Sequence, residues 1–194
     1  LGALFPFSWG FLVASFWSSA SFCSVVAFSG SRRGLPSSSL LASRAVLSAL
    51  APSVVAAGGS FAVGCCPSGL DLTIRSAAAA ARLPLRLFSV SGVRSAAALR
   101  ARSLRLVAAC SCLFVFPRSP SFIRSGSWLC AFAAARRGVP VFVFLPSASV
   151  ASLPCVGGVS SWRVVPGSSL LVPVPGFSFF CPVVGSAPVS LFER

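Results

Sequence analysis

The chain has 194 residues, 56% of them hydrophobic and 9% charged, and a formal net charge of +14 from 16 basic against 2 acidic residues. Every basic residue is Arg; Lys, His, Asn, Gln, Met and Tyr do not occur. The length suits one domain with a real core, and the missing His and Lys exclude a Ser-His-Asp triad, a Cys–His dyad and the lysine of a P-loop.

The absent residue types share a coding property, since most need adenine at the first or second codon position. An adenine-poor strand therefore accounts for part of the Arg, Ala, Ser, Val, Phe and Pro excess. It also weakens the usual inference from positive charge to nucleic acid or anionic membrane. A mis-started or unexpressed reading frame is the alternative that this bias allows. An ordered alternation of strands, glycine turns and helices argues against a meaningless frame. The 8 Cys are spaced as neither a zinc site nor a disulfide framework. Buried free thiols in a reducing, cytoplasmic setting are expected, with no metal and no cofactor.

Residues 1–21 form an uncharged, aromatic and apolar extension that starts with Leu. It reads as translated sequence upstream of a start or, together with the residues to 28, as a membrane anchor. Residues 24–28 are a β-branched apolar run of strand length, closed by Ser29-Gly30-Ser31-Arg32. Pro36 opens a helix to about residue 50, and Gly58-Gly59 turns the chain back. A second strand, 61–64, leads into Gly64-Cys65-Cys66-Pro67-Ser68-Gly69-Leu70-Asp71. An Ala-rich helix over 72–83 follows, with Asp71 placed to cap it.

Pro84 stops that helix, and 86–90 is the third strand. The spacing of Ala96, Leu99, Leu106 and Cys110 predicts a helix to 109, with Arg100, Arg102 and Arg105 off the apolar stripe. Residues 112–116 are continuously apolar, as in a strand buried on both faces. After Pro117-Arg118-Ser119-Pro120, a helix opens at Ser125-Gly126-Ser127 and closes at Arg136-Arg137-Gly138, which suits a helix C-terminus. Residues 141–145 are the fifth strand. Residues 160–165 offer a further strand, and everything past about 166 reads as irregular, outside the compact sheet. The expected organisation is an apolar extension (1–21), an α/β domain (22–150) and a Pro/Val/Gly/Ser-rich tail (151–194).

Strand and helix alternate five times over 22–146. That predicts an α/β fold with a doubly wound, mainly parallel, Rossmann-like sheet and irregular N- and C-terminal extensions. Ligands bind such sheets at the C-terminal strand ends. Three Gly/Ser loops fall there, and they nominate Gly30, Ser31, Arg32, Gly64, Ser68, Gly69, Asp71, Pro117, Ser125, Gly126 and Ser127 as a ligand-binding set. Glycines allow close approach of the backbone, and Arg32 supplies a planar positive fork for phosphate. The helix after Ser68-Gly69 presents its N-terminus, another anion-binding feature.

The order Gly30-Ser31-Arg32, Val63-Gly64 to Gly69-Leu70-Asp71, Phe116-Pro117, Ser125-Gly126-Ser127-Trp128 and Gly138-Val139-Pro140-Val141 resembles the SLOG superfamily. That Rossmann-like group contains DprA-type and lonely-guy domains. The resemblance covers about residues 24–146. It implies a nucleotide or nucleic acid as partner, with Arg32 on phosphate and Asp71 as cap or on a ribose hydroxyl. Lonely-guy enzymes carry a Pro-Gly-Gly-x-Gly-Thr loop followed by a catalytic Glu. Here Arg124-Ser125-Gly126-Ser127-Trp128 stands instead, and no acid follows, so no catalysis is expected. A homo-oligomer is compatible with all of this.

Overall fold

The computed structural model describes residues 24–90, 92, 95–170 and 173–184. Chain order is β1 (Val25–Gly30), α1 (Ser37–Ala56), β2 (Ser60–Gly64), α2 (Gly69–Ala80), β3 (Leu85–Phe88), α3 (Ala96–Ala109), β4 (Cys112–Phe116), α4 (Gly126–Arg136) and β5 (Val141–Val143), then β6 (Val159–Pro166) and β7 (Ser178–Val184). The strands form one sheet in the order β3-β2-β1-β4-β5-β7-β6. β1 to β5 pair in parallel, and β7 joins β5 and β6 antiparallel. This is a doubly wound α/β sheet of Rossmann-like type.

The strand alternation sorts side chains to two faces. Val26, Phe28, Phe61, Val63, Phe114, Phe116, Phe142 and Phe179 meet α1 and α2 through Val46, Leu47, Leu50, Leu70 and Ile74. Val25, Ala27, Ala62, Leu113, Val115 and Val143 meet α3 and α4 through Leu106, Val107, Trp128 and an alanine-rich face. With almost no Ile in the chain, rings do the filling on the first face. Phe28, Phe114 and Phe142 are register partners on β1, β4 and β5. They stack at 5.9 and 5.0 Å, and Phe179 of β7 meets Phe114 edge-on at 5.8 Å. Each fully buried Phe stabilises by about 1.5–3 kcal/mol.

Several boundaries differ from expectation. α1 runs past Pro52 to Ala56, because Val54 is fully buried while Pro52 faces solvent. Gly58 (φ +66°) then ends it, with its N–H and that of Gly59 returning to the Val55 and Val54 carbonyls. α2 starts at Gly69, so Asp71 lies inside its first turn and is not its N-cap. β3 stops at Phe88 and β5 at Val143.

The larger correction concerns the tail. Residues beyond 166 are not outside the sheet, because β7 inserts between β5 and β6 with Phe179, Phe180 and Cys181 buried. A strand has to cover the edge of β5, and the β6–β7 hairpin does so. Residues 1–20, also expected outside the sheet, fall outside the described residues. Val25 to Phe28, the end of the proposed anchor, belong to the central strand β1. α1 is long and apolar enough by composition to cross a membrane, yet one side of it is packed on the sheet.

Candidate functional site

The order of strands reverses between β1 and β4, which lie side by side although β2 and β3 intervene in the chain. Helices leave the two strands toward opposite faces, and a crevice opens at their C-terminal ends. Here it is a cleft of about 1290 Å³, walled by α3, α4 and the loops after β1, β2 and β4. Of the residues nominated from sequence, Gly30, Ser31, Arg32, Gly64, Ser68, Asp71, Ser125, Gly126 and Ser127 line it. Gly69 and Pro117 do not. Gly69 (φ +67°) lies under the Ser31–Arg32 backbone, where a Cβ would strike main-chain atoms. Pro117 is buried behind the wall.

The β1 and β2 loops are tied together. Leu70 N–H donates to the Ser31 carbonyl at 3.3 Å, and Ser68 Oγ donates to the Arg32 carbonyl at 3.1 Å. The N-terminus of α2 is therefore docked on the β1 loop, with at least one of its free donors used. α4 is different. Its cap Ser125 accepts from Trp128 N–H at 3.4 Å, and the first-turn residues Gly126 and Ser127 line the cleft. Such a terminus carries partial positive charge. Arg124 holds a left-handed φ of +54° just before it, and Trp128 Nε1 anchors the loop by donating to the Ser119 carbonyl at 2.9 Å. Across the switch point, the Arg118 guanidinium lies over Gly34 of the β1–α1 loop, 3.0 Å from where a Cβ would stand.

The feature that sequence reasoning missed is Arg102. Its Nη1 donates to Asp71 Oδ2 at 3.3 Å and to Cys66 Sγ at 3.4 Å. Asp71 Oδ2 also accepts from Cys66 N–H at 3.0 Å, and Arg75 donates to the Cys66 carbonyl at 3.4 Å. Asp71 thus reaches back from the first turn of α2, where an acid suits the helix dipole. The pair spans the sheet edge, joining a helix on one face to a helix on the other over the end of β2. Gly64 has no side chain because a Cβ there would collide with both partners. The signal was present in the sequence: Arg102 sits three residues after Leu99 and four before Leu106, beside the apolar stripe.

Two buried thiols that line the cleft, Cys66 and Cys130, are held in the protonated form at neutral pH. Burial, then the charge of Asp71, pushes Cys66 up, against a hydrogen bond from Arg102. Burial pushes Cys130 up, against hydrogen bonds from Ser29 and Ser103. Arg102 is lowered by burial but raised more by Cys66 and Asp71, so it stays charged. Neither buried thiol is an activated nucleophile. Cys65, Cys66, Cys110, Cys130, Cys155 and Cys181 form no disulfide, and no cluster of metal-ligating side chains occurs among the described residues.

What the cleft offers is cationic. Arg32, Arg33, Arg100, Arg118 and Arg124 line it. The single ion pair among the described residues is the one between Asp71 and Arg102. Fold and site define a Rossmann-like α/β domain with an arginine-lined cleft at its topological switch point. The chain matches no protein-family model and no curated protein.

Proposed function

We propose that the protein binds a phosphate-bearing ligand, a nucleotide or a nucleic acid, in the cleft at the β1/β4 switch point, without catalysing a reaction on it. The observation that carries this is the convergence there, with the N-terminus of α4, of five arginines that no carboxylate among the described residues answers. Arginine forks match phosphate oxygens in pairs, and a helix N-terminus adds backbone donors. The SLOG resemblance points the same way, since its three loops are the ones that border the cleft. The role for Asp71 that fits best is structural, because its Oδ2 already serves Cys66 and Arg102.

The test uses the full chain, with labelled single-stranded DNA and a labelled nucleotide in fluorescence anisotropy. Arg32→Ala and Arg118→Ala are each expected to weaken the binding probe by roughly tenfold to 150-fold, the equivalent of a lost charge-assisted hydrogen bond. Wild-type affinity in the double variant, or binding of neither probe by the native chain, sinks the proposal.

A further inference from the structure

The arginines of the cleft are spread over separate elements. Arg32 and Arg33 stand on the loop after β1, Arg118 and Arg124 on the loop after β4, and Arg100 on α3. One phosphate monoester brings about −2 and cannot touch all three walls of a cleft of about 1290 Å³. Each further phosphate in an anhydride chain adds an ionised oxygen and extends the reach. Nucleotide sites that use Mg²⁺ hold it with carboxylates as well as with phosphate oxygens. Among the described residues the carboxylate in this cleft is Asp71, whose Oδ2 serves both the Arg102 guanidinium and Cys66 N–H. The same holds for a sugar. Dinucleotide sites read ribose with an acid near the end of the second strand, but β2 ends here in Gly64, followed by Cys65 and Cys66.

We infer that the ligand of the cleft is a condensed phosphate, a di- or triphosphate or longer chain, free or carried by a nucleoside, and that it is taken without a divalent cation. The arginines neutralise the chain in place of the metal, and recognition lies in the phosphates and not in sugar or base. This rests on the phosphate-binding reading above and narrows it, setting aside the phosphodiester backbone of a nucleic acid.

The experiment is calorimetric titration of the full chain with inorganic phosphate, pyrophosphate, tripolyphosphate, AMP and ATP, in EDTA and again with excess Mg²⁺. Tripolyphosphate is expected to bind at least about tenfold tighter than inorganic phosphate, the worth of one added charge-assisted contact. ATP should fall within about threefold of tripolyphosphate, and Mg²⁺ should weaken both by several-fold, because it screens the charge that the arginines read. Arg33→Ala and Arg100→Ala should narrow the gap between tripolyphosphate and phosphate. Arg44→Ala, on α1 away from the cleft, should leave it unchanged. AMP as tight as ATP, ATP far tighter than tripolyphosphate, tightening by Mg²⁺, or equal effects of all three variants each overturn the inference. Binding of single-stranded DNA but of no condensed phosphate overturns it while leaving the broader reading standing. Failure of every probe removes both.

Discussion

Gly64 and the Asp71–Arg102 pair compete for one volume, and the pair occupies it because position 64 carries no side chain. The two charged side chains expose only 14% (Arg102) and 6% (Asp71) of their surface, so this is a buried bridge and not a screened surface contact. Removing one partner of such a pair leaves the other charge desolvated. Arg102→Leu is expected to cost about 3–5 kcal/mol in urea unfolding. Adding Asp71→Asn to it should restore part of that loss. A double variant that costs as much as the two single changes together would show that the residues do not act as a pair. The sequence made the acid conspicuous, because it is one of 2 in the chain. It could not show that the acid's partner lies 31 residues on, since helix spacing sets Arg102 beside the apolar stripe without saying which group it meets.

At the level of elements, the parallel half of the sheet was legible; of the antiparallel half, β6 was legible at 160–165 and β7 was not. β4 is apolar throughout and closed by Pro117, and β1 and β2 hold the apolar runs 25–28 and 61–63 with Gly30 and Gly64 at their ends, which is how strands covered on both faces read. β6 and β7 carry Pro166 and Pro182 inside their spans and alternate less cleanly, and Pro is rare in central strands. In a chain so rich in Val and Phe, an apolar run by itself carries little information about structure. The hairpin nevertheless closes the Phe-lined core. Phe179 is fully buried against Phe114, Phe142 and Phe144. Phe179→Ala is expected to lower stability by about 3–5 kcal/mol, read from the denaturant midpoint. A residue in an irregular tail would change it by less than about 0.5 kcal/mol, so a shift that small would mean β7 is not part of the core. A fragment ending at 150 would lose this cover and bare the edge of β5.

Across the whole molecule, both cores hold protonated thiols, and this sets an alkaline limit. Burial, then the nearby Cys130, pushes Cys110 from an ordinary 9.0 up to about 12. Burial pushes Cys181 from 9.0 up to about 12, with Arg163 opposing. Below 9.0 the folded and unfolded chains hold the same protons, and the contribution of these thiols is complete. Between about 9 and 12 the unfolded chain releases protons that the folded chain keeps, so stability falls as pH rises, by about 1.4 kcal/mol per pH unit per thiol at most. Urea midpoints measured across this range should decline, and the decline should flatten in Cys110→Ala. A midpoint independent of pH there would contradict the buried, neutral thiols. The inward turn of Asp71 has a further consequence at this scale. With that carboxylate closed on Arg102, the described surface offers no anionic group, and the protein in solution is a polycation clothed in small anions. If the cleft takes phosphate as proposed, its unliganded state is a salt form, and each arriving phosphate displaces ions already there. Association is then an exchange reaction driven largely by the freedom those ions regain. Its strength belongs as much to the medium as to the cleft: sulfate or phosphate in the buffer acts as a competitor, and dilution of salt acts as a cofactor would.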